Sequence, residues 1–167
     1  MRQSFYPDRR YHRITDIDPA ALSQEGIQGI ILDVDNTLTT HNNPRPADGV
    51  ISWLDQARAC GLRLIILSNN RPQRVEPFAR MLGLEFEANG KKPMAGGFLR
   101  ACAHMGTVPE ATAAIGDQIF TDVMGARRAG VLCLMVDPIE PEPGWFFRFK
   151  RRLERPLLRA WERRCSR

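Results

Sequence analysis

The segment Ile27–Leu32 carries three consecutive branched aliphatic residues, Ile30-Ile31-Leu32, and stops at two acids within Asp33-Val34-Asp35-Asn36-Thr37-Leu38. A strand that is apolar at successive positions is buried on both faces, the condition of a strand inside a parallel sheet. Alternate side chains of a strand share a side. Asp33 and Asp35 therefore project together from the C-terminal edge, where open α/β sheets bind ligands. Two adjacent carboxylates repel each other and require a cation or a shared proton.

Similar runs recur. Strands are expected at Gly29–Asp33, Arg63–Ser68, Glu85–Glu87, Ala113–Gly116 and Leu132–Val136, the short and polar third one at a sheet edge. Helical stretches with readable ends lie between them. Asp48 opens the first, which Gly61 stops; Asn70 caps the second, with Pro72 in its first turn and Gly83 beyond its end. Pro93–Met105 and Thr121–Ala129 read as the third and fourth, ending at Gly106 and Gly130. This alternation predicts an α/β fold, a Rossmann-like doubly wound parallel sheet of five strands. Residues 1–25 form an N-terminal arm, 26–140 the core, and 141–167 a tail that follows the proline-rich boundary Pro138–Gly144.

The 167 residues suit one domain with a sizeable core. No apolar stretch reaches the roughly 18 residues of a membrane span. The polar, basic start predicts no secretory signal. Cys60, Cys102, Cys133 and Cys165 are scattered without a C-x-x-C pair, which favours reduced thiols in a cytoplasmic protein over a zinc site. Charge is uneven: residues 141–167 hold nine Lys/Arg against three Glu, a net of +6, whereas the whole chain is +5. The basic character belongs to the tail.

Four polar clusters end four strands. Asp33/Asp35 is the first. Ser68-Asn69-Asn70 offers a hydroxyl and backbone N–H groups at a helix start, suited to a phosphoryl oxygen. Lys91-Lys92-Pro93 supplies a compact positive charge. Gly116-Asp117-Gln118-Ile119-Phe120-Thr121-Asp122 adds further carboxylates. Oxygen ligands without nearby His or Cys favour Mg²⁺. Each cluster alone has a plainer explanation as a capped turn or a solvated loop. Together, in this order on one sheet edge, they suit phosphoryl transfer.

With these four motifs the chain resembles the haloacid dehalogenase superfamily phosphatases, whose signature is DxDxT, a strand-end Ser/Thr, a Lys and GDxxxxD. More narrowly it is similar to the YqeG-type group and its relative, the mitochondrial phosphatidylglycerophosphatase. The stretches that carry this are Asp33–Leu38, Ser68–Asn70, Lys92-Pro93, Gly116–Val123, Ile14-Thr15-Asp16-Ile17 and the late Gly144-Trp145-Phe146-Phe147. The resemblance implies Asp33 as nucleophile, forming an aspartyl-phosphate, and Asp35 as general acid and then base. It implies that Asp33, the Val34 carbonyl, Asp117 and Asp122 hold Mg²⁺. Ser68 and the Asn69 amide would bind phosphoryl oxygens, and Lys92, preferred to Lys91 because it precedes the proline, would neutralise charge. The loop Thr39–Arg45 departs from the relatives in its His/Asn content and leaves substrate preference open.

Only 32 residues separate Asp35 from Ser68, and 23 separate Ser68 from Lys92. Neither gap holds a cap domain, so an open site suited to macromolecular or membrane-bound substrates is expected. Plotted as a helix, the tail gathers Trp145, Phe146, Phe149, Leu153, Leu157 and Ala160 on one side and Arg148, Arg151, Arg152, Arg155 and Arg159 on the other, with a kink or a new helix at Pro156. Such a helix suits peripheral contact with an anionic membrane. Docking on the protein's own core, dimerisation and nucleic-acid contact are the alternatives. A lipid phosphate, phosphatidylglycerophosphate foremost, is the expected substrate; a phosphoprotein or nucleic-acid phosphate, or a non-catalytic phosphate-binding module, stands as alternative. His41 reads as a solvated loop residue; Arg71 and Arg74, which follow the Ser68 cluster at a helix start, read as a solvated helix face, with contact to substrate phosphate as the alternative.

Overall fold

The computed structural model describes residues 5–41, 43–140 and 145–165, excluding the side chains of 145–148, 150 and 151. Asn42 of the expected loop, Gly144, and the side chains of Trp145, Phe146, Phe147, Arg148 and Arg151 lie outside the described residues. The strands are β1 (Arg9–Tyr11), β2 (Gly29–Leu32), β3 (Arg63–Leu67), β4 (Glu85–Glu87), β5 (Thr112–Gly116) and β6 (Leu132–Val136). The helices are α1 (Pro19–Gln24), α2 (Val50–Ala59), α3 (Pro72–Leu82), α4 (Ala95–Met105), α5 (Met124–Ala129) and α6 (Trp145–Cys165). All strand pairs are parallel, in the order β1-β6-β5-β2-β3-β4.

Among the described residues the sheet has six strands, not five. The extra strand, β1, comes from the arm and pairs with β6, Arg10 standing opposite Met135. Its Arg9-Arg10-Tyr11 sequence has no apolar alternation, because an edge strand needs none. Neighbouring polar groups fix it instead. Asp8 accepts the Cys133 N–H at 2.8 Å and pairs with Arg127 at 2.8 Å, and Arg10 pairs with Asp137 at 2.6 Å.

The central strands feed two cores. Ile30, Leu32 and Ile66 join the layer of α2, α3 and the arm; Ile31, Ile65 and Leu67 join that of α4 and α5. This is the period-two alternation of a strand buried on both faces. Fully burying one such aliphatic side chain contributes about 1.5–3 kcal/mol. Trp53 ties the arm to α2 by donating its indole N–H to the Ile17 carbonyl at 2.7 Å.

The chain runs outward from β2 through β3 to β4, then returns to place β5 on the other side of β2. The ends of β2 and β5 therefore flank the crevice at which the winding direction reverses. The Asp33 N–H donates to the Ile115 carbonyl at 2.9 Å, carrying the pairing to the mouth of that crevice.

The tail helix α6 is one element through Pro156. Its inward stripe is Glu154, Leu157, Leu158 and Trp161, at helical i, i+3, i+4 and i+7. Leu157 and Leu158 pack on the core beside α4 and α5, whereas Phe149 and Leu153 face solvent. The apolar sector read from the sequence is thus split between the docked face and the exposed one.

Candidate active site

Asp33 follows β2 directly and meets the Lys92 ammonium, whose Nζ lies 2.5 Å from Asp33 Oδ1 and 2.6 Å from Asp122 Oδ1. Lys92 is buried, while Lys91 beside it is exposed with a positive φ of 53°. The turn between them selects which ammonium enters the site. Asn69 fixes that turn from two sides: it accepts the Lys92 N–H at 2.7 Å and donates to the Lys92 carbonyl at 3.1 Å.

Burial pushes the Asp33 carboxyl up to about 7; Lys92 opposes the shift, and Asp122 and Asp35 add to it. Burial alone would lower the Lys92 ammonium, but Asp122 and Asp33 outweigh it and hold the group above its ordinary range. Lys92 is therefore a fixed cation between two carboxylates.

Gly116 ends β5 and is followed by fully buried Asp117. A wide π-type turn, Ile119–Val123, then leads into α5, in place of the regular helix expected from Thr121. This turn points Asp122 back at the sheet, where its Oδ2 accepts the Gln118 N–H at 3.1 Å. Asp33, Asp117 and Asp122 each offer a carboxylate oxygen within 4.8 Å of the others. Three hard oxygen donors with no His or Cys in the cluster fit Mg²⁺.

The Val34 carbonyl has another task. It accepts N–H groups from Thr37, Leu38 and Thr39 at 3.2, 3.0 and 3.2 Å. These bonds shape the turn that carries Asp35, so the acidic cluster is made by side chains and the Val34 oxygen is engaged elsewhere. Asn36 takes the left-handed φ of 60° that the turn requires.

Asp35 sits at the mouth of the crevice. Its Oδ2 accepts from Asn70 Nδ2 at 2.7 Å and its Oδ1 pairs with Arg74 Nη2 at 2.5 Å, with His41 Nδ1 3.6 Å from Oδ1. Asn70 does not cap α3: Arg71 holds that position, and the Asn70 amide serves Asp35 instead. Arg74 and His41 are solvent-exposed, as the sequence reading has them, and meet Asp35 in addition. The signal that could have found Arg74 is its place one turn into the helix that starts beside Ser68, facing the DxD turn. Ser68 is buried, and its Oγ accepts the Asn70 N–H at 3.1 Å.

Ser68, Lys92, Asp33 and the Asp117–Asp122 loop thus meet at the ends of β3, β2 and β5 and the loop after β4. A carboxylate against a buried cation, a second carboxylate at the entrance and a cluster of hard oxygens form an arrangement suited to phosphoryl transfer.

Known proteins resemble this chain in sequence and in fold. A family model described as haloacid dehalogenase-like hydrolase matches residues 42–130. "Probable phosphatase YqeG" of Bacillus subtilis (strain 168) is 35% identical over 98% of this chain and 95% of its own length. "Phosphatidylglycerophosphate phosphatase 1, chloroplastic/mitochondrial" of Arabidopsis thaliana is 25% identical over 98% of this chain and 50% of its own length. Among solved structures, 4-nitrophenylphosphatase from Thermotoga maritima superposes with a TM-score of 0.58 at 13% identity, covering 79% of this chain and 90% of that one, a likeness of fold. With its site residues at the strand ends and a near-full-length phosphatase relative, the chain belongs to the haloacid dehalogenase-like hydrolases, as a phosphatase.

Proposed function

We propose that this phosphatase hydrolyses a lipid phosphomonoester, phosphatidylglycerophosphate first among them, through an aspartyl-phosphate on Asp33. The observation that carries the lipid assignment is a groove of about 300 Å³ beside Asp35. Its wall includes Pro44, Val75, Pro77, Phe78 and Met81, and Asn70 and Arg74 line it where they reach Asp35. An ester oxygen protonated by Asp35 leaves on this side, so the alcohol part of the substrate lies along an apolar wall. The phosphatidylglycerophosphate phosphatases of Arabidopsis thaliana and Chlamydomonas reinhardtii, 25% and 28% identical, support the same substrate class.

In the first half-reaction an Asp33 oxygen forms a bond to phosphorus and the ester P–O bond breaks. The leaving oxygen takes a proton from Asp35. In the second, Asp35 takes a proton from water as that water attacks phosphorus and frees Asp33. Ser68 Oγ and the Asn69 N–H receive phosphoryl oxygens, and Lys92 balances charge on Asp33. Asp33, Asp117 and Asp122 would hold Mg²⁺, which when bound withdraws negative charge from the phosphoryl oxygens.

No described helix is long and apolar enough to cross a membrane. Exposed Phe149 and Leu153, with exposed Arg152, Arg155 and Arg159 near them on α6, support peripheral contact with an anionic bilayer on its cytoplasmic side. Each basic residue near such a surface contributes about 1 kcal/mol.

Phosphate release from phosphatidylglycerophosphate in mixed micelles with MgCl₂ tests the proposal. A phosphopeptide, a 3′-phosphorylated oligonucleotide and 4-nitrophenyl phosphate run beside it, with Asp33→Asn as blank. Preference for the lipid is expected. Turnover of the aryl ester or the phosphopeptide without the lipid would overturn the substrate assignment.

A further inference from the structure

Glu154 is the one acidic residue of the described part of α6 that is buried, at 1% exposure. Its Oε1 accepts the Ile119 N–H at 2.9 Å and the Phe120 N–H at 3.4 Å. These N–H groups begin the turn between Asp117 and Asp122, and Gln118 ahead of them makes no side-chain cap. The cap comes from 35 residues further along the chain. Asp122 Oδ2 accepts the preceding donor, the Gln118 N–H, at 3.1 Å. Three successive backbone donors are thus met by two carboxylates, one inside the loop and one on the tail.

A buried carboxylate is costly unless it meets donors, and an aliphatic side chain would fill the same space. The position is explained by what Glu154 does for the loop. A free helix-type start exposes N–H donors that something must satisfy. Here Glu154 Oε1 is the acceptor for two of them, close at Ile119 and longer at Phe120. The helix that carries Glu154 is anchored on three sides. Leu157 and Leu158 pack on the core, Arg10 of β1 meets Glu162 at 2.5 Å, and the Arg164 guanidinium lies 5.2 Å from the centre of the Tyr6 ring.

We propose that Glu154 is a positioning residue for the metal-binding loop. Acting through the Ile119 and Phe120 N–H groups, it holds Asp117 and Asp122 at the spacing the cation needs, and α6 is therefore a strut of the active site. This rests on the Asp33–Asp117–Asp122 cluster being the metal site.

The test is Mn²⁺ binding to the full chain, read by loss of the free-ion paramagnetic resonance signal, with amide hydrogen exchange at Ile119 and Phe120 beside it. Glu154→Ala is expected to weaken Mn²⁺ binding at least tenfold and to speed exchange at those two amides. Glu154→Gln, which keeps an acceptor oxygen of the same reach, is expected to stay within threefold of the parent. Leu158→Ala, a packing change on the same helix, is expected to lower Tm and leave Mn²⁺ affinity within twofold. Unchanged binding in Glu154→Ala, equal loss in Glu154→Gln, or equal loss in Leu158→Ala would each overturn the proposal. Should Glu154→Ala not fold, Glu154→Asp, one methylene short of the amides, is judged by the same tenfold criterion. Failure of the parent protein to take up Mn²⁺ would remove the metal reading and this proposal with it, whereas uptake by the parent with no effect at Glu154 removes this proposal alone.

Discussion

Arg74 Nη2 lies 2.5 Å from Asp35 Oδ1, on the side of the carboxylate away from the bond to Asn70. Both oxygens of the proposed acid are therefore oriented before substrate arrives. General acid catalysis contributes about 10²- to 10⁴-fold and matters most where the leaving group is a poor one. Asp35→Asn keeps the shape and loses the proton. It is expected to slow an alkyl phosphate within that range and 4-nitrophenyl phosphate, whose phenolate leaves readily, much less. Arg74→Ala removes one charge-assisted bond and is expected to slow the alkyl ester roughly tenfold. Equal losses on both esters in Asp35→Asn would remove the acid role.

The raised Asp33 carboxyl predicts how stability depends on pH without metal. Burial lifts this group from 3.8 to about 7, so between those values the native state holds a proton that the unfolded chain has released. Stability then falls as pH rises through that window, and the penalty is complete above about 7. Asp33→Asn is expected to raise the Tm of protein in EDTA at pH 8, by about 2–4 °C for each kcal/mol regained, with the gain shrinking towards pH 4. Thermal unfolding of both proteins across that range checks it; a gain independent of pH would assign the effect to packing.

Much of this was legible because apolar runs and strand-end polar clusters are local signals. Ile30-Ile31-Leu32 announces a strand buried on both faces, and Asp33, Ser68, Lys92 and Asp117 fall at strand ends or the loops they feed. The rest depends on residues distant in sequence. β1 is held by Asp8 reaching Cys133 and Arg127. Nothing within Arg9–Tyr11 signals pairing. Arg74 looks like any basic residue on a helix until folding brings it to Asp35. Asn70 has the composition of a cap, but Asp35 lies within its reach and wins its amide. Glu154 belongs to a stretch rich in arginine, and only the docked face of α6 distinguishes it from a solvated acid.

Gly116 sets how closely Asp122 approaches the sheet. A Cβ at this position would run into Asp122 Cγ and lie 2.6 Å from Asp122 Cβ. Gly116→Ala removes no functional group but must push Asp122 from Lys92 and from the acidic cluster. Overpacking of this kind costs about 1–3 kcal/mol, and a displacement near 1 Å can lower turnover about 10²-fold. The variant is therefore expected to fold with a lowered Tm and to lose activity out of proportion to that change. Circular dichroism melts beside phosphate release separate the two, and full activity would show that the Asp122 position is not critical.

Met81 tests the groove with little risk to the fold, because it is 51% exposed at the outer end of α3. An acyl chain along Pro77 and Met81 gains from every methylene that leaves water, about 0.8 kcal/mol when burial is complete and less in an open groove. Met81→Glu places a charge in that path. It is expected to lower kcat/KM for a short-chain phosphatidylglycerophosphate at least tenfold, chiefly through KM, while 4-nitrophenyl phosphate, too small to reach Met81, stays within twofold. A series of alkyl phosphates of increasing length supplies the second reading. Rates should climb with chain length in the parent protein and flatten in Met81→Glu. Parallel slopes in the two proteins would mean that the alcohol leaves by another face, and the lipid assignment would then lose the observation on which it stands.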